Sequence, residues 1–319
     1  MIAADVLVIG AGPAGATLAR LLALRGRRVV LVEAGRPLER TELLAPSSLP
    51  ALAACGLQPL LHDPAIARVC LGIRRRWGGA RPQTEDFLRH PAGRGYAVDR
   101  AAFDGALRLL AREAGVRAIA GRLAAVSRED GRIVCRIADG GQEHCLIAPV
   151  AVDATGRPAA LARRLGAGHV RHQRLIAERL AREPGAAPAP SWLDVTDNEA
   201  GWSYSLAGPG GWRETWQVSH GAGARGSRRV DASASSRTPV AGDGWIAIGD
   251  AACAFDPIAS QGLFNAISSA LVAAGLLLSD DGLSAATGAL YGEAVAATFA
   301  HSERLRGEVY AALARRDAS

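Results

Sequence analysis

The stretch Val6-Leu7-Val8-Ile9-Gly10-Ala11-Gly12-Pro13-Ala14-Gly15 decides the fold. Its four apolar residues predict a buried strand, and the apolar spacing from Pro13 to Arg25 predicts a helix. The glycines between them permit a tight turn, close approach of the backbone to a phosphate, and close packing of helix on strand. The helix N-terminus adds free N–H groups and a positive dipole end. The residues we expect at this phosphate site are Gly10, Gly12, Pro13, Ala14 and Gly15.

A second predicted strand, Val29 to Val32, ends at Glu33, about 20 residues beyond the glycines, where a carboxylate binds the ribose hydroxyls of a dinucleotide. We place Ala34 in the same site. Arg36 either reaches the adenine-side phosphate or is a solvated surface arginine, and the sequence leaves both open. A glycine-rich turn in any α/β protein is the simpler alternative, but strand, helix and acid all occur here in the required order.

A second segment of the same kind lies far downstream. The apolar run Gly244-Trp245-Ile246-Ala247-Ile248 leads into Gly249-Asp250, and Asp256-Pro257 and Ser260-Gln261-Gly262 follow. Two strand-to-helix sites so far apart predict one long ligand that is held by both ends of the chain. FAD has that shape, and we expect it as the cofactor.

Composition limits the class of protein. With 49% hydrophobic and 21% charged residues in 319, the chain predicts a globular protein with an ample core. No apolar run reaches membrane-spanning length, and the first strand begins too early for a signal peptide, so we expect a cytoplasmic location and no membrane partner. The five cysteines are odd in number and lack metal-ligand spacing, which predicts free thiols and no metal site.

The positive charge of this chain is carried by arginine alone. The net charge is +6, and the sequence contains no lysine. The arginines are scattered, with Arg74-Arg75-Arg76 as one tight cluster, so we do not expect a nucleic-acid partner. Any mechanism that requires a lysine is excluded.

The order of predicted elements indicates an α/β protein in which a Rossmann-like FAD-binding domain is interleaved with a smaller β-sheet substrate domain. We assign residues 1–60, 98–165 and 238–284 to the first, 61–97 and 166–237 to the second, and 285–319 to a C-terminal segment of one helix or two. Within these ranges, residues 56–97 look irregular and 222–236 look like a loop. The remaining predicted elements are a helix over 101–115 and strands over 133–137, 149–153, 202–206 and 213–219.

Several motifs together resemble the FAD-dependent monooxygenase superfamily of the para-hydroxybenzoate hydroxylase fold. They are Gly10-x-Gly12-x-x-Gly15, Asp99-Arg100, Asp153-Ala154-Thr155-Gly156-Arg157 and Gly249-Asp250-Ala251-Ala252. The variant Asp256-Pro257 with Ser260-Gln261-Gly262 resembles the tryptophan-halogenase-like branch. Trp77-Gly78, Asp86-Phe87-Leu88, Gly95-Tyr96-x-Val98-Asp99-Arg100 and Arg174-Leu175-Ile176-Ala177 are most similar to flavoproteins that mature amine oxidases and dehydrogenases bearing tryptophan-derived quinones.

The resemblance implies roles for particular residues. Asp250 would accept hydrogen bonds from the ribityl chain, with a helix N-cap as the alternative. The helix start Gln261-Gly262-Leu263 would face the pyrimidine edge of the flavin. Arg100 would touch the ribityl and pyrophosphate groups, with a surface ion pair as the alternative. Arg122 and Leu123 would meet the adenine.

The reacting face of the flavin has its own candidates, which are Trp77, Asp256, Pro257 and Gln261. Trp77 either faces the ring or fills the core. Cys253 stands where the superfamily usually has a histidine; we interpret it as a buried small residue rather than a covalent flavin attachment.

The resemblance implies a monooxygenase that hydroxylates an aromatic ring, with O2 as co-substrate and a C4a-hydroperoxyflavin as the oxygenating species. NAD(P)H or a separate reductase would donate electrons. Both donors stay open, because Ala154 replaces the glycine of the Asp-Gly pair that members of the superfamily usually link to both FAD and NADPH. The substrate segment is short, which predicts a thin sheet and an open pocket suited to tryptophan on a peptide or protein.

Three other functions are compatible with the same motifs. A reductase of an unsaturated substrate would need a long apolar tunnel. A flavin-binding maturation partner would lack its own oxygenation. A halogenase passes hypohalous acid to a pocket lysine, and the absence of lysine disfavours it, since arginine stays protonated.

Overall fold

The computed structural model describes residues 1–35, 38–77, 81–184, 190–221 and 228–314, without the side chains of 312–314. Arg36 and Gly78 of the sequence predictions lie outside the described residues. The strands in chain order are β1 (Ile2–Ala3), β2 (Val6–Ile9), β3 (Val29–Glu33), β4 (Thr41–Leu44), β5 (Ala67–Arg76), β6 (Gln83–Asp86), β7 (Gly95–Asp99), β8 (Arg117–Ala120), β9 (Arg122–Glu129), β10 (Arg132–Asp139), β11 (Gln142–Ala148), β12 (Val150–Asp153), β13 (Gly168–Arg171), β14 (Ile176–Pro184), β15 (Ser191–Asn198), β16 (Gly201–Ala207), β17 (Trp212–Ser219), β18 (Arg229–Asp231), β19 (Ser235–Thr238), β20 (Ala241–Gly242), β21 (Trp245–Ala247) and β22 (Cys253–Ala254). The α-helices are α1 (Pro13–Ala23), α2 (Leu49–Ala54), α3 (Arg100–Glu113), α4 (Ala160–Arg164), α5 (Gly262–Leu278) and α6 (Ala285–Ala314).

A six-stranded sheet in the order β20-β21-β12-β2-β3-β8 forms one half of the molecule. Strands β21, β12, β2, β3 and β8 run parallel. Both faces of this sheet are covered, and alternate side chains of β2 pack on opposite faces. Val6 and Val8 pack in the cluster that includes α1, α3 and α5. Leu7 and Ile9 pack against the four-stranded sheet β1-β11-β10-β9. Burial on both faces accounts for the continuous apolar runs in the sequence.

A nine-stranded sheet forms the other half, in the order β18-β14-β17-β16-β15-β5-β7-β4 with β6 beside β5. The expectation of irregular structure over 56–97 is wrong, because β5 and β7 pair there. The expected thin sheet is wrong for the same reason, since the pairing of β5 with β15 adds these strands to those of the later segment. The predicted loop over 222–236 holds β18 and the start of β19.

Two features relate the predicted domain ranges to these sheets. Strand β4 lies inside the range 1–60 that was assigned to cofactor binding, yet it pairs with β7 in the nine-stranded sheet. The C-terminal segment is one helix, α6, which is anchored where the Tyr291 hydroxyl donates a 2.8 Å hydrogen bond to the Ala247 carbonyl. The domain division itself stays a prediction. Within the described ranges, no helix combines the length and apolar character needed to cross a membrane.

Candidate cofactor and substrate site

A cavity of about 930 Å³ lies between the two large sheets, where the carboxyl ends of the parallel strands open. Ligands of open α/β sheets bind at this edge. Most of the predicted cofactor residues line it, namely Gly10, Gly12, Pro13, Ala14, Glu33, Ala34, Arg100, Arg122, Leu123, Asp250, Gln261, Gly262 and Leu263. The nine-stranded sheet supplies an apolar wall to the same space through Leu43, Ile73, Leu193, Val195, Trp202 and Leu206.

The three glycines of the first turn, Gly10, Gly12 and Gly15, have different structural roles. Gly10 has φ +111°, and a Cβ there would lie 2.2 Å from the Ala154 carbonyl oxygen. A Cβ at Gly15 would lie 1.9 Å from the Gly10 oxygen, so Gly15 permits helix packing and does not itself line the cavity. A Cβ at Gly12 would meet no protein atom within 4 Å. Gly12 is the N-cap of α1, and no side chain caps the helix there. The first N–H groups of α1 are therefore accessible to a phosphate from the cavity.

Glu33 is the last residue of β3 and lines this cavity together with Arg122 and Leu123. Its Oε1 accepts a hydrogen bond from Arg112, and its Oε2 lies 3.7 Å from Nε of Arg108. A carboxylate has about four acceptor positions, so Glu33 retains capacity for ribose hydroxyls.

Arg100 is buried, and its guanidinium is held by two carboxylates. It donates to Asp104 at 3.0 Å from both Nε and Nη2, and to Glu42 at 2.7 Å from Nη1. Burial alone would raise the pKa of Glu42, but Arg100 and Arg40 lower it below its usual range. The alternative of a surface ion pair is therefore wrong, because Arg100 lies in a buried network at the cavity wall.

Arg40 and Glu42 belong to this network and were missed by the sequence analysis. Both line the cavity from the start of the nine-stranded sheet. The Nε of Arg40 is buried and has no hydrogen-bond partner among the described residues. Their segment, Arg40-Thr41-Glu42, has no glycine motif and no distinctive spacing, so only its place in the cavity lining marks it.

The second sequence segment reaches the same cavity through Asp250. Its carboxylate is 35% exposed and lies 3.7 Å from Nε of Arg157. Burial raises the pKa of Asp250 above its usual value, and Arg157 opposes that change. Gly249 has φ +57°, and a Cβ there would come within 3.1 Å of the Ala14 Cβ. Gly249 thus does not line the cavity, but allows this segment to pack against the start of α1.

Helix α5 begins at Gly262 and points its N-terminus into the cavity beside Gln261 and Leu263. No side chain caps its first N–H groups. Gln261 accepts a 3.1 Å hydrogen bond from Ser302 of α6, which fixes its amide. The uncapped N-termini of α1 and α5 therefore open onto one cavity, an arrangement that suits pyrophosphate at one end and an electron-rich ring edge at the other.

Asp256 and Pro257 line the cavity beyond α5. Asp256 is 2% exposed, and its carboxylate accepts hydrogen bonds from the Ile258 N–H at 3.0 Å and from Gln173 at 2.6 Å. Burial raises the pKa of Asp256, while these hydrogen bonds and that of the Tyr310 hydroxyl lower it. Asp256 is consequently satisfied on several sides by protein groups and fixes the loop at the cavity.

Trp77 does not line the cavity. It packs against Trp202 with ring centroids 6.4 Å apart, and Trp202 in turn lies 5.8 Å from the ring of Tyr204. Trp202 and Tyr204 form the aromatic wall instead. Cys253 is also outside the lining, being 3% exposed, and burial raises the pKa of its thiol to about 12. The interpretation of Cys253 as a buried small residue is confirmed.

Residues 3–145 match the sequence profile of the FAD binding domain family. The chain carries an FAD binding domain. Its glycine turn, Glu33, Arg122 and Leu123 all fall within the matched range. A comparison with curated protein sequences finds no match.

Several solved structures share the fold of this flavoprotein. It is similar to the peptidyl tryptophan dihydroxylase QhpG, essential for tryptophylquinone cofactor biogenesis, with 24% identity, a TM-score of 0.78, and coverage of 98% of this chain and 76% of that one. The myxobacterial chondrochloren halogenase CndH has 24% identity, a TM-score of 0.80, and coverage of 94% and 79%. A geranylgeranyl bacteriochlorophyll reductase-like protein from Thermoplasma acidophilum has 20% identity, a TM-score of 0.78, and coverage of 99% and 87%.

These comparisons confirm the α/β fold of the para-hydroxybenzoate hydroxylase type and FAD as the cofactor. Together with the domain match, they identify the flavoprotein as an FAD-dependent oxidoreductase. The residue assignments within the cavity stay predictions.

Proposed function

We propose that this flavoprotein is a monooxygenase that hydroxylates an aromatic ring, with tryptophan on a peptide or protein as the substrate. The observation that carries the proposal is that the predicted cofactor-binding residues and an aromatic wall line one continuous cavity. Trp202 and Tyr204 line the same cavity as Gly12 and Asp250, so a ring stacked on that wall shares one space with the cofactor.

The residues of the chain divide the work of binding. The open space at Gly12 and the uncapped N-terminus of α1 fit a pyrophosphate, Glu33 fits the ribose, and Asp250 fits the ribityl chain. Bound FAD would supply the activation of O2, which is chemistry that protein side chains lack. The uncapped start of α5 would stabilise negative charge at the pyrimidine edge of the ring.

The apolar wall has two functions in this proposal. Leu193, Val195 and Leu206 exclude water from the reacting ring, while Trp202 and Tyr204 orient it by aromatic contacts. Asp256 holds the loop at the flavin edge through Gln173 and Ile258, and we assign it a positioning role.

The absence of lysine, and not the comparisons, favours aromatic hydroxylation over halogenation. The fold is shared about equally with a peptidyl tryptophan dihydroxylase and with a halogenase. A halogenase route through a pocket lysine is closed to this chain, which has none. O2 is the proposed co-substrate, and electrons come from NAD(P)H or from a separate reductase.

Incubation of the FAD-loaded protein with a tryptophan-containing peptide, a reducing system and ¹⁸O2 tests the proposal. We expect product that is heavier by oxygen atoms carrying the gas label, with no dependence on halide. Reduction by NAD(P)H alone, compared with an added reductase, identifies the donor. Label from water, or halogenated product, would contradict the monooxygenase assignment. FAD binding without any product would favour the maturation-partner function.

A reductase of an unsaturated substrate is the second candidate. The apolar cavity wall and the fold shared over 99% of the chain with a geranylgeranyl bacteriochlorophyll reductase-like protein favour it. Product formation under strictly anaerobic conditions, with a mass gain of two hydrogens, would select this function.

A further inference from the structure

A second cleft of about 270 Å³ adjoins the main cavity, and its walls carry three arginines, Arg171, Arg174 and Arg229. Val230 and Asp231 of β18 line both spaces. Strand β18 is therefore a shared wall of the cleft and the cavity. We call this space the arginine cleft.

The charges of the arginine cleft are incompletely paired. Arg171 forms a 3.2 Å ion pair with Asp231. Nε of Arg229 lies 4.0 Å from Oε1 of Glu178, which is too long for a hydrogen bond. Arg174 is exposed and forms no ion pair within the described part of the chain. Among the described residues, three guanidiniums thus face two carboxylates.

Arg229 provides the strongest indication of a ligand. Its Nε and Nη2 are both buried, and neither has a hydrogen-bond partner in the described structure. Buried donors without partners are destabilising and uncommon in native proteins. The Arg229 side chain as a whole is 30% exposed, and a planar guanidinium whose donors are incompletely paired matches a carboxylate, which accepts two parallel hydrogen bonds.

We propose that the arginine cleft binds the carboxylate of an aspartate or glutamate side chain located a few residues from the reacting ring of the substrate. This inference rests on the proposed function, because the ring occupies the main cavity, which shares the wall formed by Val230 and Asp231 with the cleft. The net charge of +6 favours an acidic partner in general, and Arg174 and Arg229 provide the specific contact. A small free carboxylate offers the same chemistry.

Direct binding to the FAD-loaded, oxidised protein tests the inference without turnover. The probes are acetylated, amidated peptides with one tryptophan and one glutamate, one to four residues apart in either direction, each paired with its glutamine analogue. We expect at least one glutamate peptide to bind about tenfold tighter than its analogue by calorimetry, with the difference shrinking at high salt.

The variants Arg174→Gln and Arg229→Gln should each reduce this glutamate preference to about twofold or less. Arg132→Gln, an exposed arginine in β10 with the same change of charge, should leave it intact. Competition by N-acetylglutamate at the affinity of the best peptide would identify a free carboxylate as the ligand and overturn the side-chain assignment. Equal binding of glutamate and glutamine peptides, no binding by any of them, or a preference that survives both cleft variants would overturn the proposal. If the preference is present but no oxygen is incorporated, only the proposed function fails.

Discussion

The indole Nε1 of Trp202 donates a 2.8 Å hydrogen bond to the hydroxyl of Tyr310. This bond joins the aromatic wall of the cavity to helix α6, more than one hundred residues away along the chain. The same hydroxyl interacts with the carboxylate of Asp256 in the cavity lining. Tyr310 therefore connects the wall that would hold the substrate with the loop that would hold the cofactor.

Replacing Tyr310 by phenylalanine should disturb both sides of the site. The change leaves the Trp202 N–H unsatisfied, and we expect the free energy of unfolding to fall by about 1–3 kcal/mol. The KM for an aromatic substrate should rise because Trp202 loses its fixed orientation. Denaturation and steady-state kinetics measure the two effects. Tyr96→Phe is the matched control, since the Tyr96 hydroxyl has no side-chain hydrogen bond in the described structure. A Tyr310→Phe protein indistinguishable from this control would refute the role of the link.

Gly12→Ala and Gly15→Ala should separate cofactor binding from folding. A Cβ at Gly12 meets no protein atom within 4 Å and would enter the space for the phosphate, so FAD affinity should fall while the apo-protein keeps most of its stability. A Cβ at Gly15 would overlap the Gly10 oxygen, and about 1–3 kcal/mol of stability should be lost before any effect on FAD. FAD titration and apo-protein melting distinguish the two. The opposite pattern would show that the phosphate site is misplaced.

Glu33→Gln should weaken FAD binding by roughly 10–100-fold, because a charged acceptor of ribose hydroxyls is worth about 1.5–3 kcal/mol. The partners Arg108 and Arg112 are partly exposed, so thermal stability should change little. Equilibrium titration of the apo-protein with FAD gives the affinity. Glu129→Gln, an exposed carboxylate on β9, serves as the control, and an equal effect in both variants would argue against ribose binding by Glu33.

Asp250→Asn should have opposite effects on stability and on FAD affinity. Burial raises the pKa of Asp250 above the reference of 3.8, so its ionised form destabilises the folded apo-protein. That unfavourable contribution is fully present above the folded-state pKa and disappears as the pH falls below the unfolded value. We therefore expect the variant to melt at a higher temperature than the parent at pH 7, with the difference shrinking as the pH falls and vanishing below about pH 3, while its FAD affinity is lower. A pH-independent difference in Tm would exclude this origin.

Local sequence rules determined the cofactor-binding half of this protein. Strand β2, the glycine turn and helix α1 follow from side-chain periodicity and from the backbone freedom of glycine, which depend on near neighbours only. Asp250 and the start of α5 follow from the same kind of pattern. Because the carboxyl ends of parallel strands meet at one edge, both segments could be assigned to one ligand before their positions were known.

Tertiary packing alone decided which side chains face the cavity. Trp77 and Trp202 are the same residue type, yet Trp202 lines the cavity and Trp77 packs against Trp202. The pairing of β5 with β15 and of β15 with β16 determines which of the two side chains faces the cavity. The two carboxylates around Arg100, the bond from Trp202 to Tyr310 and the second cleft beside β18 join elements that are distant in sequence. Such contacts depend on how the sheets and helices pack in three dimensions, and no local periodicity encodes them.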